Sequence, residues 1–569
     1  MIKQTGTEFK KPFGKELFGT ENVAYYPYPR EKLIAEPIFP YFVLDGGAFN
    51  LMNDRFGSAD GDHILELTCS GKLFEEFTYQ GKFNWESSFA YVDGTDFTKK
   101  YEWQIWPQRL YMTIPLAHKF LKTGDRKFAD AWMKIVKVWD EAHPYQEFNP
   151  EIHYLQTDMV WRDMQVAWRT MSLLHGLFML QDAPFTKEEW KYLYDFVELH
   201  IHHMYVEALD RLARNHAQNH VLQIGVVLIM AGVMFPEFEN TAEIIKIGRD
   251  TVEMNLRRAI YKDGGSNEDS PSYSHFIVRL YLEALLLLEN NGLASIEGLR
   301  ESVVKQYEWI YQCMSPAGRT LRLSDSYGMD AMADIKRAEE LIALDFPRER
   351  KSMLLPDSRI AILRKGPITL FADAMEYLRG HQHAGRPQIL MFYGDKPVLV
   401  DGGVSNYDRW ELYLTLMESK MHNVIYCPDF DHNKMDIKPQ VKTFDAENGI
   451  VVLTSDVSHE GISYHWERGL TLTDNTLVIE DTAQATESIH WMSRLFFARN
   501  DTKKAEDKHT VSQLTNNYLM KLTSDKEVTT ELVPVMNDNN QIDYAVVVQA
   551  SAHGESFTMK TIIEFTERK

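Results

Sequence analysis

PDSRIAILRKGPITLFADAMEYLRGHQHAGRPQILMFYGDKPVLVDGG, residues 356–403, decides how the chain is read. Within it, residues 359–363, 368–371, 388–392 and 397–400 are short runs rich in β-branched and aromatic side chains, and turn signals such as Gly394-Asp395-Lys396 separate them. Such runs predict strands. They continue at 450–453, 470–472, 477–479 and 544–548. Many short strands without intervening helices predict an antiparallel sandwich.

Upstream of about residue 340 the period is helical. Leu110, Ile114, Ala117 and Leu121 make one apolar stripe, Phe128, Trp132, Ile135 and Trp139 a second, and Trp161, Met164, Trp168 and Met171 a third. Steps of three and four residues put each set on one helix face. Thr186 with Glu189 reads as a capping box. Further helices are predicted near 219–234, 241–260, 272–290 and 295–314. Successive antiparallel helices with short joints suggest an array, curved or closed into a toroid. The expected architecture is therefore multidomain α+β: a helical (α/α) toroid over 1–345, then an antiparallel β-sandwich over 346–569. The change falls at 340–357 without a long flexible linker.

The chain has 569 residues and a formal net charge of -21, from 61 basic and 82 acidic side chains. That balance argues against nucleic acid as a partner, which wants a basic face. It leaves room for a polyanion bound in a locally basic cleft. Cys69, Cys313 and Cys427 are too few and too widely spaced for a disulfide framework, and no CxxC metal motif is present. The first residues lack the apolar core of a signal peptide, and the apolar run 221–235 is too short to span a bilayer. A cytoplasmic protein without a membrane partner is the simple expectation; a removed leader would make it periplasmic or secreted. A homodimer is compatible with the sequence.

Three segments can carry chemistry. Arg214-Asn-His-Ala-Gln-Asn-His-Val-Leu222 opens an apolar helix, and amide and imidazole groups there suit a carboxylate ligand. Alternatively, Asn215 or Asn219 merely caps the helix. Asp263-Gly-Gly-Ser-Asn-Glu-Asp-Ser-Pro-Ser-Tyr273 places Tyr273 in a first helical turn; a tyrosine packed under a loop is the plainer alternative. Gly380-His-Gln-His-Ala-Gly385 precedes a strand, with Val400-Asp-Gly-Gly403 and His422-Asn423 beyond. His383, Asp401 and His422 can form a His₂Asp zinc set, or a satisfied polar core.

Together these segments resemble heparinase II/III-like polysaccharide lyases over roughly residues 100–480. The family's Asn-His before an apolar helix resembles Asn219-His220-Val-Leu222, and its Asp-Gly…Glu-x-Ser-x-x-Tyr element resembles Asp263-Gly264…Glu268-Asp-Ser270-Pro-Ser-Tyr273. Its His-x-His-Ala, Val-Asp-x-Gly and later His-Asn match His381-Gln-His383-Ala384, Val400-Asp401-Gly-Gly403 and His422-Asn423; Arg322-Leu-Ser-Asp-Ser326 is similar to a further shared segment. Many relatives carry Asp soon after His-x-His-Ala, where this chain has Gly385-Arg386. The heparinase II branch tolerates glycine there and is the closest in pattern.

The resemblance implies a toroid followed by a β-sandwich, and β-elimination on a uronate-containing glycan. It implies Asn219, Tyr273 and His381 as catalytic residues, with His220, Arg214 and Glu268 binding substrate. It also implies a structural zinc on His383, Asp401 and His422. The chemistry demands such groups. The C5 proton of a uronate is weakly acidic while its carboxylate is charged, so fixed donors must neutralise that charge. Asn219, with His220 or Arg214, would do so; Tyr273 and His381 would move the protons. Two other readings compete: a toroid glycoside hydrolase using Asp263, Glu268 or Asp269, and a glycan-binding protein without catalysis.

Overall fold

A computed structural model of the chain describes residues 57–58, 60–77, 106–151, 159–236, 238, 240–377, 380–405, 410–499, 503–515 and 518–567. The N-terminal aromatic stretch Tyr25-Tyr26-Pro-Tyr28, a candidate to block one end of a cleft, lies outside them. Two compact units emerge. One runs to Ala259 and includes Phe276–Val303; the other combines Ile260–His275 with the chain from Val304 onward.

The first unit is helical. It holds α1 (Gly61–Ser70), α2 (Thr113–Thr123), α3 (Arg126–Ala142), α4 (Asp163–Met179), α5 (Lys187–Ala213), α6 (Asn219–Met234) and α7 (Thr241–Ala259). Most of α8 (Pro271–Asn290) and the start of α9 (Leu299–Cys313) complete it among the described residues. The expected apolar stripe of α3 is buried at Phe128, Trp132, Ile135 and Trp139. The capping box forms as read: Thr186 Oγ1 accepts from the Glu189 amide, and Glu189 accepts from the Thr186 amide. Helix α6 is apolar on every side and packs against α4, α5 and α7, which marks it as a central element. It meets α7 through glycines. A Cβ on Gly248 would stand 2.8 Å from the Gly225 carbonyl oxygen, closer than a Cβ can approach backbone, so a side chain at 248 would force the helices apart.

Glu283 in α8 is 1% exposed, and neither carboxyl oxygen has a hydrogen-bond partner. Burial pushes its pKa up to about 8, from 4.5. The folded state then holds this proton more tightly than the unfolded state. Stability therefore falls as pH rises from 4.5 to about 8 and is flat above, with a slope of ~1.4 kcal/mol per pH unit. Glu283→Met removes the ionisation at similar volume. Urea unfolding should show the variant more stable than wild type near pH 8, with the gap closing towards pH 5. An equal gap at both pH values would mean that this carboxyl ionises as freely inside as outside.

The second unit carries α10 (Ala331–Glu339), α11 (Trp410–Met417) and the strands. These are β1 (Met353–Leu355), β2 (Ile360–Lys365), β3 (Ile368–Asp373), β4 (Gln388–Tyr393), β5 (Lys396–Leu399), β6 (Ile425–Tyr426), β7 (Asp436–Asp445) and β8 (Ile450–His459). Then follow β9 (Ile462–Leu472), β10 (Thr476–Ala498), β11 (Lys503–Ala505), β12 (Thr510–Leu514), β13 (Tyr518–Ser524), β14 (Thr529–Met536) and β15 (Ile542–Glu567). All pairings are antiparallel. The main path runs β1-β2-β3-β4-β5-β10-β15-β13-β12-β11, with β9, β8 and β7 added beyond β10. Side chains from β2–β5, β8–β10, β12, β13 and β15 share one buried cluster, so the sheet folds over a common core.

One buried ion pair ties this core to the segment just before β6. Arg468 Nε and Nη2 lie 2.7 and 3.0 Å from the two carboxylate oxygens of Asp481, and Arg468 Nη1 donates to the Asn423 carbonyl at 2.5 Å. The Asn423 amide then donates to the carbonyls of Ile389 and Val400 and accepts from the Phe496 amide. His422 is thus the neighbour of a residue clamped to three strand segments. The three cysteines are free, and no helix among the described residues is long and apolar enough to cross a membrane.

Candidate active site

In the second unit, four segments converge around Asp325. Asp325, fully buried, accepts from His381 Nδ1 at 3.0 Å, His383 Nε2 at 2.8 Å and the Tyr413 hydroxyl at 3.1 Å. Its amide donates to the His381 carbonyl, and its carbonyl accepts from the Ser270 and Ser272 hydroxyls. The two serines flank Pro271, the first residue of α8, and fix the turn that delivers Tyr273. The Tyr273 ring stacks on His381 with centroids 3.7 Å apart and planes at 24°. Glu268 Oε2 lies 3.7 Å from His381 Nε2.

The charges follow from this enclosure. Burial alone would raise the Asp325 carboxyl, but the bonds and charges of His381 and His383 outweigh it and hold the group ionised, well below the usual carboxylate range. Burial likewise disfavours a charged His381, yet the Asp325 bond and the nearby Glu268 charge raise its pKa above the ordinary histidine value. Tyr413 is pushed strongly upward by burial and the Asp325 charge, so it stays a donor.

His383, Asp401 and His422, distant in sequence, meet. One ligand atom from each lies within 4.8 Å of the others, and all three residues are buried. His422 Nδ1 lies 2.6 Å from Asp401 Oδ2, and Asp401 Oδ1 accepts from the Gly403 amide. His383 Nδ1 and His422 Nε2 are buried with no hydrogen-bond partner. Buried imidazole nitrogens rarely go unsatisfied, and two of them beside a carboxylate fit a metal with N and O ligands.

The departure at 385–386 has a steric cause. A Cβ on Gly385 would lie 2.2 Å from the His422 ring. Arg386 is buried between the carboxylates of Asp269 and Asp373, each 3.6 Å away, and donates to the Asp269 carbonyl and Ser324 Oγ. Asp269 and Ser324 both adopt positive φ, 52° and 57°. Arg386 therefore holds two strained turns, one leading to Tyr273 and one to Asp325.

Among the other candidates, Asp263 is engaged with structure. Its carboxylate accepts from the Ser358 amide and hydroxyl at 2.7 and 2.6 Å and from the Gly265 amide.

The first unit presents its own polar group. Asn219 is the first residue of α6, and the cap position is Gln218, which makes no side-chain cap bond. His220 Nδ1 lies 3.0 Å from Asp163 Oδ2, and Asp163 begins α4 at φ 51°. Burial opposes ionisation of Asp163, but the His220 charge and bond, with Arg162 and Arg211, pull its pKa down. Glu207 behind it is pushed up to about 7 by burial and the Asp163 charge. Arg214, at the end of α5, donates to Asp210 at 2.8 Å.

Comparison with known proteins now bears on this arrangement. Residues 57–352 match the model of the heparinase II/III N-terminus, and residues 347–565 match the heparinase II/III-like C-terminal model. The chain belongs to the heparinase II/III family. Similar curated proteins include heparin-sulfate lyases of Bacteroides stercoris (24% identical over 262 residues, 44% of this chain and 37% of that one) and Pedobacter heparinus (26% over 202 residues, 33% and 29%). These matches span only about a third of the relatives' length. Two crystal structures share the fold across nearly the whole chain. One, named heparinase III, has a TM-score of 0.70 at 15% identity, covering 98% of this chain and 94% of that chain. The other, a heparan sulfate lyase mutant from Pedobacter heparinus, has a TM-score of 0.63 at 15% identity, covering 95% and 94%. The expected fold class, helical toroid then antiparallel β domain, is the fold of this family member.

In the sequence Asp325 stands only within a shared segment, and no motif marks Tyr413; both matter because of partners 56 to 88 residues away.

Proposed function

We propose that this chain is a lyase that cleaves a uronate-containing glycan of the glycosaminoglycan class by β-elimination. The observation that carries the reading is the Tyr273–His381 stack oriented by Asp325. Such a pair suits removal of the C5 proton and protonation of the leaving oxygen on C4. Asn219 and His220 would neutralise the substrate carboxylate, with Arg214 adding charge nearby and Glu268 binding the sugar. Membership of the family, and relatives named heparin-sulfate lyases, support the substrate class. The hydrolase reading needs two unencumbered carboxylates, and the bonds Asp263 makes to Ser358 and Gly265 weigh against it.

The test is direct. Heparan sulfate, chondroitin, hyaluronan, alginate and ulvan are incubated with the protein, and the ultraviolet band of a C4–C5 double bond is followed. A rise with at least one glycan is expected. Reducing-sugar release without absorbance would replace the lyase by a hydrolase.

His383, Asp401 and His422 would hold a structural zinc, supplying a rigid tether between the His381 loop and the segment after β5. Elemental analysis should find about one zinc per wild-type chain and much less in His383→Ala. Gly385→Ala should lose metal as well, because the added methyl displaces the His422 ring. Equal metal in all three proteins removes the assignment.

A further inference from the structure

We infer that Asp325 is a positioning residue that sets opposite tautomers on two histidines, one for proton transfer and one for metal binding. The part concerning catalysis rests on the proposed lyase reading; the part concerning tautomers does not.

The geometry is asymmetric. Asp325 takes His381 through Nδ1 on one oxygen and His383 through Nε2 on the other. A neutral imidazole has one N–H and one bare nitrogen, and an ionised carboxylate only accepts. His381 must therefore carry its proton on Nδ1, leaving Nε2 as the exchanging nitrogen on the side of Glu268. His383 must carry its proton on Nε2, leaving Nδ1 bare. That Nδ1 is buried without a hydrogen-bond partner, on the histidine that groups with Asp401 and His422.

One carboxylate thus fixes both rings, and its position is itself over-determined. The Tyr413 hydroxyl shares the oxygen that His381 uses, and the Ser270 and Ser272 hydroxyls hold the Asp325 carbonyl. Arg386 secures the preceding residue through Ser324 Oγ. A metal-capable imidazole and a proton carrier two residues away are thus held by one carboxylate, and neither ring can turn without breaking its own bond to it.

The experiment uses full-length protein as purified, selectively labelled with ¹⁵N-histidine and observed at alkaline pH. His381→Gln and His383→Gln assign the two rings. Wild type should show His381 protonated on Nδ1 and His383 on Nε2. Asp325→Asn should release this pattern, lower kcat on any glycan the wild type cleaves by ~10²-fold or more, and weaken zinc by about 10–100-fold. KM should stay within about threefold, which a general loss of structure would not spare. Wild-type His381 protonated on Nε2 overturns the inference without any Asp325 variant having to fold. So does a folded Asp325→Asn protein with unchanged tautomers or unchanged kcat. If wild type cleaves no glycan, the lyase reading fails, while the tautomer result still decides the role of Asp325.

Discussion

Tyr273→Phe should lower kcat by about 10²–10⁴-fold, the range attributed to a positioned acid or base, while leaving thermal stability and zinc content as in wild type. The substitution is nearly isosteric. Phenylalanine keeps the ring that stacks on His381 at 3.7 Å and the helix start held by Ser270 and Ser272, so only the hydroxyl is lost. Steady-state kinetics on the best glycan from the panel, beside a melting curve, make the check. A variant with wild-type kcat would take Tyr273 out of the chemistry and leave His381 to act alone.

The largest stability effect is expected at Asp481. Removing one partner of a buried ion pair leaves the other charge uncompensated, which typically costs about 3–5 kcal/mol. In Asp481→Ala, Arg468, fully buried, keeps the Asn423 carbonyl and the face of Trp466 as its partners among the described residues. Urea unfolding should therefore show a much lower midpoint than wild type. The damage should also reach the metal-capable group, because Asn423 clamps β4, β10 and the end of β5 and adjoins His422. An unchanged midpoint would mean that water reaches Arg468.

Much of the fold was legible because local patterns and tertiary packing agree. The stripe through Trp132 and Trp139, the capping box at Thr186 and the strand runs after 356 each fall where the periodicity puts them. Strand lengths were not legible. β10 and β15 run 23 and 26 residues, far past their apolar cores at 477–479 and 544–548, because pairing with each other extends them. The metal-capable triad could be guessed from residue types, since histidine and aspartate beside glycine-rich turns narrow the options. Asp325 could not be singled out. Its importance lies in donors from 381, 383 and 413, and nothing local to Arg322-Leu-Ser-Asp-Ser326 distinguishes that carboxylate from a surface one. The positive φ of Asp163, Asp269 and Ser324 was hidden for the same reason: only the surrounding bonds explain a non-glycine residue there.

The contact between Gly385 and the His422 ring carries an evolutionary consequence. The space beside the backbone is already filled by imidazole, so a chain with a larger residue at 385 needs a differently placed side chain at 422. The two positions should therefore vary together among related sequences. A relative with aspartate in place of Gly385 should show a substituted or displaced partner in place of His422.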